Sequence, residues 1–159
     1  MALFGVLGAL TFALQVAMAP LPNIEPVSLL VMVFAAVFGW KCLYPVYVFV
    51  VMEILFYGIS TWNIYYLYVW TVLALGAVML RKSKSALAWA LLSGIFGLFF
   101  GALCGIVDIF IGGFAYAGTK WVSGIPFDLL HCGGNFGIAL IMFNPLRAVM
   151  EKLWIRMKR

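Results

Sequence analysis

Charge is what this 159-residue sequence has least of: Asp, Glu, Lys and Arg supply 9% of it, against 67% hydrophobic residues. Its mean hydropathy is +1.15. A soluble domain carries about 25% charged residues, so a water-facing surface cannot be assembled from this inventory and lipid has to be the main solvent. Histidine occurs once, and the three cysteines, Cys42, Cys104 and Cys132, are scattered. That spacing supports neither a disulfide framework nor a zinc site, and no metal or other cofactor is expected. The chain has no His-x-x-x-His or Glu-x-x-His pair and no Gly-x-x-x-x-Gly-Lys-Ser/Thr loop. A metalloprotease-like centre and direct use of ATP are therefore both disfavoured. No Lys or Arg precedes Lys41. The apolar start thus lacks the positive region of a signal peptide, although Ala17-Met18-Ala19 resembles a cleavage site, and it is expected to remain as a first helix. The length suits one membrane-embedded domain, 1–159, with no room for a separate ATPase module.

What is present is a series of apolar segments. Six can be marked, at about 2–19, 27–40, 44–58, 64–80, 86–111 and 127–143. The expected fold is all-α, a polytopic bundle of about six transmembrane helices. The second and third segments are shorter than the roughly 20 residues a straight span needs, so a five-helix count with a re-entrant segment stays open. A proline-punctuated loop, Pro20 to Pro26, follows the first segment, and a glycine-rich loop is expected over Gly112 to Ile125. With six spans and both termini cytoplasmic, Lys41, Arg81, Lys82, Lys84, Arg147, Lys152, Arg156, Lys158 and Arg159 fall inside, and Lys120 alone falls outside. That asymmetry matches the positive-inside rule. It also accounts for the net charge of +5 through anionic lipid, without a nucleic-acid partner.

The acids sort the other way. Glu25, Glu53, Asp108 and Asp128 lie toward the outer side, and only Glu151 lies in the inner tail. An ionisable group at mid-membrane costs roughly 2.5–3.5 kcal/mol on insertion scales and marks a functional cavity more often than not. Glu53 is the hardest to explain structurally, since no cation lies near it in sequence. Asp128, His131 and Asn135 share one helix face by spacing, as do Asn63, Tyr66 and Trp70. Together these residues predict an outward-opening cup with carboxylates, an imidazole and amides at its floor and aromatic walls. Blander roles compete at several positions. Tyr57, Trp62, Tyr65, Tyr116 and Trp121 are also placed externally, but Trp62, Tyr65 and Trp121 equally suit an interfacial belt, Asp128 a helix N-terminus, Asp108 a pair with Lys120, and His131 a satisfied position within the bundle. A site rich in carboxylates and lacking Arg disfavours a polyanion and suits a neutral or cationic heterocycle.

Two stripes of small residues recur every four positions: Gly5, Ala9, Ala13 and Ala17, then Ser93, Gly97, Gly101 and Gly105. Such stripes let helices approach closely. The chain resembles the substrate-binding S components of energy-coupling factor (ECF) vitamin transporters over nearly its whole length. The features that carry the resemblance are the six segments, the Ala9-Ala13-Ala17 stripe, the Pro22-Asn23-Ile24-Glu25-Pro26 loop, and the ending Asn135-Phe136 … Asn144-Pro145-Leu146-Arg147.

The resemblance implies a multi-pass protein of a bacterial plasma membrane that binds a vitamin-like ligand from outside. It also implies docking through Ala9, Ala13 and Ala17 onto a transmembrane T component served by two ATPase subunits. Asn23 and Glu25 would belong to a lid loop, and Glu53, Trp70, Asp108, His131 and Asn135 to the pocket. A queuosine- or queuine-like deazapurine, a thiamine precursor and cobalamin all suit the residues, which do not choose among them. Such a chain is not an enzyme. The rival readings are a solitary proton-coupled carrier using Glu53 or Asp108 and, more remotely, an intramembrane enzyme using Asp128 and His131.

Overall fold

A helix that is apolar all round has to be buried all round, and the second helix shows this. In the computed structural model, which describes residues 2–21 and 23–157, helix α2 (Val27–Phe38) is buried at nearly every position. It forms the centre of an all-helical bundle, and the described residues contain no strand. Around it stand α1 (Ala2–Met18), α3 (Leu43–Tyr57), α4 (Thr61–Leu80), α5 (Ala86–Leu98) and α6 (Phe100–Met157). A 3-10 turn, Gly39–Cys42, joins α2 to α3. Pro22, Lys158 and Arg159 lie outside the described residues, so part of the proline loop and two tail cations are not placed.

Three helical stretches are long and apolar enough to cross a membrane: Val27–Tyr57, Thr61–Leu80 and Ala86–Met157. Helix α1 is a shorter apolar helix. Many large apolar side chains face outward, among them Val6, Leu55, Met79, Ile95, Phe110 and Ile141. On a soluble protein this would be an aggregation-prone surface; here it fits contact with lipid.

Local chemistry fixes the helix ends. Ser60 and Asn63 form a reciprocal capping box at the start of α4, with the Ser60 N–H donating to Asn63 Oδ1 at 2.6 Å. Ser85 caps α5 by accepting the Ala88 N–H at 3.2 Å. Gly39, with φ of +60°, ends α2 in a conformation that an L side chain resists.

The expected loop over Gly112 to Ile125 is a correction. Only Gly113 leaves helical geometry (φ 79°, ψ 178°), and helix resumes immediately after it. The arms on either side pair antiparallel. Trp89 stacks on Phe143 with ring centroids 4.1 Å apart, the Gly97 position lies against His131, and Gly101 lies against Asp128. Lys120 reaches back to Asp108. These partners converge on a hairpin tip at Gly113. The fifth apolar segment is interrupted only at Phe99, whose N–H and C=O still bond to Ile95 and Leu103. Helix also runs through Pro126 and Pro145, so Asp128 lies inside a helix and not at its start.

The bundle has two unlike ends. At one end, Phe4, Phe38 and Trp154 meet, with Trp154 centroids 6.3 Å from Phe4 and 5.0 Å from Phe38. Arg147 donates to the Ser83 carbonyl there at 2.8 Å. Lys41 and the Arg81–Lys84 segment share this end. The other end holds the C-termini of α1 and α3, the N-terminus of α4 and the hairpin tip at Gly113.

Candidate functional site: two cavities at one end of the bundle

The expected single cup is resolved into two cavities. The larger, about 530 Å³, is lined by the end of α1 and its loop (Gln15, Met18, Ala19, Leu21, Asn23, Ile24, Glu25) and by Glu53 and Tyr57 of α3. Ser60, Trp62, Asn63, Tyr66, Trp70, Phe100 and His131 complete it. The smaller, about 340 Å³, is lined chiefly by Tyr65, Gly101, Cys104, Asp108, Lys120, Trp121 and Asp128. Asn23, Trp62, Phe100 and His131 border both.

The loop after α1 is fastened to one face of α6. Asn23 Nδ2 donates to the Phe127 carbonyl at 3.0 Å. Glu25 Oε1 lies 3.1 Å from His131 Nε2. Ile24 packs on the bare backbone of Gly134. Positions 127, 131 and 134 follow one another along a single helical face. Glu25 also accepts the Ser28 N–H at 3.0 Å and the Ser28 hydroxyl at 2.5 Å, anchoring the first turn of α2. Asn135 donates to Ser28 Oγ at 3.0 Å. It therefore supports the loop from below and lines neither cavity, contrary to its expected place in the pocket.

The buried acids differ in how they are satisfied. Asp108 is 2% exposed and receives Lys120 Nζ at 2.8 Å and the Tyr65 hydroxyl at 2.5 Å. The simpler expectation for Asp108, a structural pair with Lys120, is the observed one. Asp128 Oδ1 accepts the Gly101 N–H at 3.1 Å, with Trp121 beside it. Asp128 and Asp108 thus belong to the smaller cavity and Glu53 to the larger. Glu53 is 7% exposed and, among the described residues, receives only the Gln15 side-chain amide, at 3.2 Å. No cation reaches it among the described residues.

Aromatic rings wall the larger cavity in mostly edge-to-face contacts. Tyr66 and Trp70 centroids lie 5.4 Å apart at 72°, and Trp62 approaches Tyr66 at 6.4 Å and 66°. Phe100 lies 4.9 Å from the His131 ring. Trp70 Nε1 is buried without an acceptor among the described residues. Asn63 is both a helix cap and a cavity residue.

Gln15 and Ser28 escaped the reading of the sequence. Each carried a faint signal: Gln15 is the only amide in the first apolar segment, and Ser28 the only hydroxyl in α2. The two small-residue stripes also part company. In the second, Gly97 and Gly101 are spent on the hairpin. In the first, Ala13 and Ala17 are exposed and Ala9 is half-buried. The close approach of α1 to α3 runs through Gly8, where an added Cβ would lie 2.6 Å from Val48. The Ala9-Ala13-Ala17 face is left free of that contact.

Among the described residues no cluster of His, Cys, Asp and Glu has the makings of a metal site. Comparison with known protein families, curated proteins and solved structures returns no match. The chain is an all-helical protein whose long apolar helices fit a multi-pass membrane protein.

Proposed function

We propose that this protein is the substrate-binding S component of an ECF-type importer, capturing a heterocyclic micronutrient on the external side of a bacterial plasma membrane. The observation that carries the reading is the cavity of about 530 Å³ at the end opposite Lys41, the Arg81–Lys84 segment and Arg147. Its size suits a small organic ligand. Its aromatic walls offer stacking surface, and Glu53, Asn63, His131 and the Trp70 indole N–H offer polar contacts. In this reading the chain makes six passes with both termini cytoplasmic. Asn23 and Glu25 border the mouth of the site. Ala9, Ala13 and Ala17 face a transmembrane T component, and two ATPase subunits supply the energy that this chain has no loop to extract. The volume favours a deazapurine or a thiamine precursor over cobalamin, whose corrin body is larger than the cavity.

The test is reconstitution. Purified protein is denatured and the small molecules it releases are identified by mass spectrometry; the molecule found is then followed into vesicles. Uptake is expected only with the T component and ATPases present. Bulky replacements at Ala9 and Ala13 are expected to leave binding intact and abolish that uptake. The rival, a solitary carrier in which Glu53 exchanges protons, is favoured by the lack of a cation at Glu53. It predicts uptake by the isolated chain, driven by a proton gradient, and that result would displace the proposal.

A further inference from the structure

We infer that the larger cavity selects an organic cation over a neutral molecule of the same shape. This rests on the proposed role as a ligand-binding subunit and narrows the ligand class of that site.

The buried acids make the case by comparison. Asp108 has an ammonium and a phenol. Glu25, which is only half-buried, has a backbone N–H, a hydroxyl and an imidazole; Asp128, in the smaller cavity, has the Gly101 N–H on one oxygen and no partner on the other among the described residues. Glu53 has one neutral amide and is more than nine-tenths buried. A carboxylate removed from water with so little compensation is costly unless a cation or several donors complete it or it takes up a proton. No Lys or Arg lines the cavity among the described residues, and the imidazole that does, His131, is directed to Glu25.

The walls point the same way. Trp62, Tyr66 and Trp70 line the space, and Tyr66 meets each tryptophan edge to face; rings set at angles to one another are also the walls of the aromatic cages that hold quaternary ammonium groups. A carboxylate at the floor and ring faces at the sides recognise a delocalised or alkylated cation together. A bare inorganic ion would use the carboxylate and leave the rings and most of the volume unfilled. The Trp70 indole N–H, buried without an acceptor among the described residues, adds the expectation of one hydrogen-bond acceptor on the same ligand.

The test uses a matched pair of probes, N-methylquinolinium and quinoline, which share a ring system and differ in permanent charge at neutral pH. Their binding to the purified full-length protein in detergent is measured by titration calorimetry, with Glu53→Gln and, as a distant control, Glu151→Gln. In wild type and the Glu151 variant, the cation is expected to bind about ten-fold or more tightly than quinoline. In Glu53→Gln that preference is expected to fall to about two-fold or less. The molecule released from denatured wild-type protein is expected to carry a positive charge at neutral pH. Equal binding of the two probes by wild type, or a released ligand that is neutral or anionic, would overturn the inference while leaving the binding function standing. No released ligand and no binding of either probe would overturn both. The wild-type comparison and the released ligand decide the matter even if Glu53→Gln fails to fold.

Discussion

Gly97 and Gly105 belong to the same four-residue stripe, yet alanine should act on them in opposite directions. At Gly97 an added Cβ would lie 2.8 Å from the His131 carbonyl carbon and oxygen and 2.9 Å from the Cys132 nitrogen. Carbon contacts are comfortable at about 3.5–4.0 Å, so the two arms of the hairpin must part by on the order of 1 Å. The neighbours are backbone and cannot rotate away. Overpacking of this kind costs about 1–3 kcal/mol, of which the better helix propensity of alanine returns about 0.5–1 kcal/mol. At Gly105 nothing lies within 4 Å of the added atom, so only the propensity gain of about 0.5–1 kcal/mol operates. The two variants should therefore differ by roughly 2 kcal/mol, or about 4–8 °C in melting temperature for a chain of this size. Cys42 and Cys104 are buried free thiols, so a thiol-reactive fluorogenic dye reports unfolding of the detergent-solubilised protein directly. The hairpin register would be refuted if Gly97→Ala melted at or above the temperature of Gly105→Ala.

Two further outcomes are expected. Lys120→Met leaves the Asp108 carboxylate with the Tyr65 hydroxyl alone. Because the lysine is 43% exposed, the loss should be about 1–3 kcal/mol, at the lower end for a broken buried pair. Adding Asp108→Asn should restore most of it in the same melting assay, and additive losses from the two changes would show that the pair is not the source. Asn23→Ala removes the donor to the Phe127 carbonyl at a position with φ of +55°. Protection of the Ile24 and Glu25 amides against hydrogen exchange should fall by about five- to ten-fold, matching about 1 kcal/mol; unchanged protection would mean that Asn23 does not hold the loop.

Much of the fold was legible because membrane chains write their constraints in composition. The apolar segments announced an all-helical chain with lipid as its main solvent, but they did not say that α2, broken only by Ser28, would be the buried centre of the bundle. The spacing of Asp128, His131 and Asn135 placed them on one face correctly but could not say at what depth. His131 borders both cavities, while Asn135 lies beneath them against Ser28. The segment 112–125 misled because Gly112, Gly113, Gly118 and Gly124 read as a loop. Packing against the preceding arm overrides that weak propensity, and Thr119 and Ser123 bond back to the carbonyls of Ala115 and Thr119 within the helix. Gln15 was invisible as a partner of Glu53 because a single amide has no period, and 38 residues separate the two.

The fastening of the loop after α1 also bears on how the protein is made. Asn23, Glu25 and Ser28 find Phe127, His131 and Asn135 across separations of 104, 106 and 107 residues. A ribosome adding about 5–20 residues per second needs roughly 5–20 s to supply those partners. Through that interval the first two helices are already synthesised, and of the Glu25 partners Ser28 and His131 only Ser28 has been made. The loop's partners on α6 are therefore among the last residues to be made, and a chain cut short before residue 127 would carry the loop without Phe127, His131 or Asn135 to fasten it to.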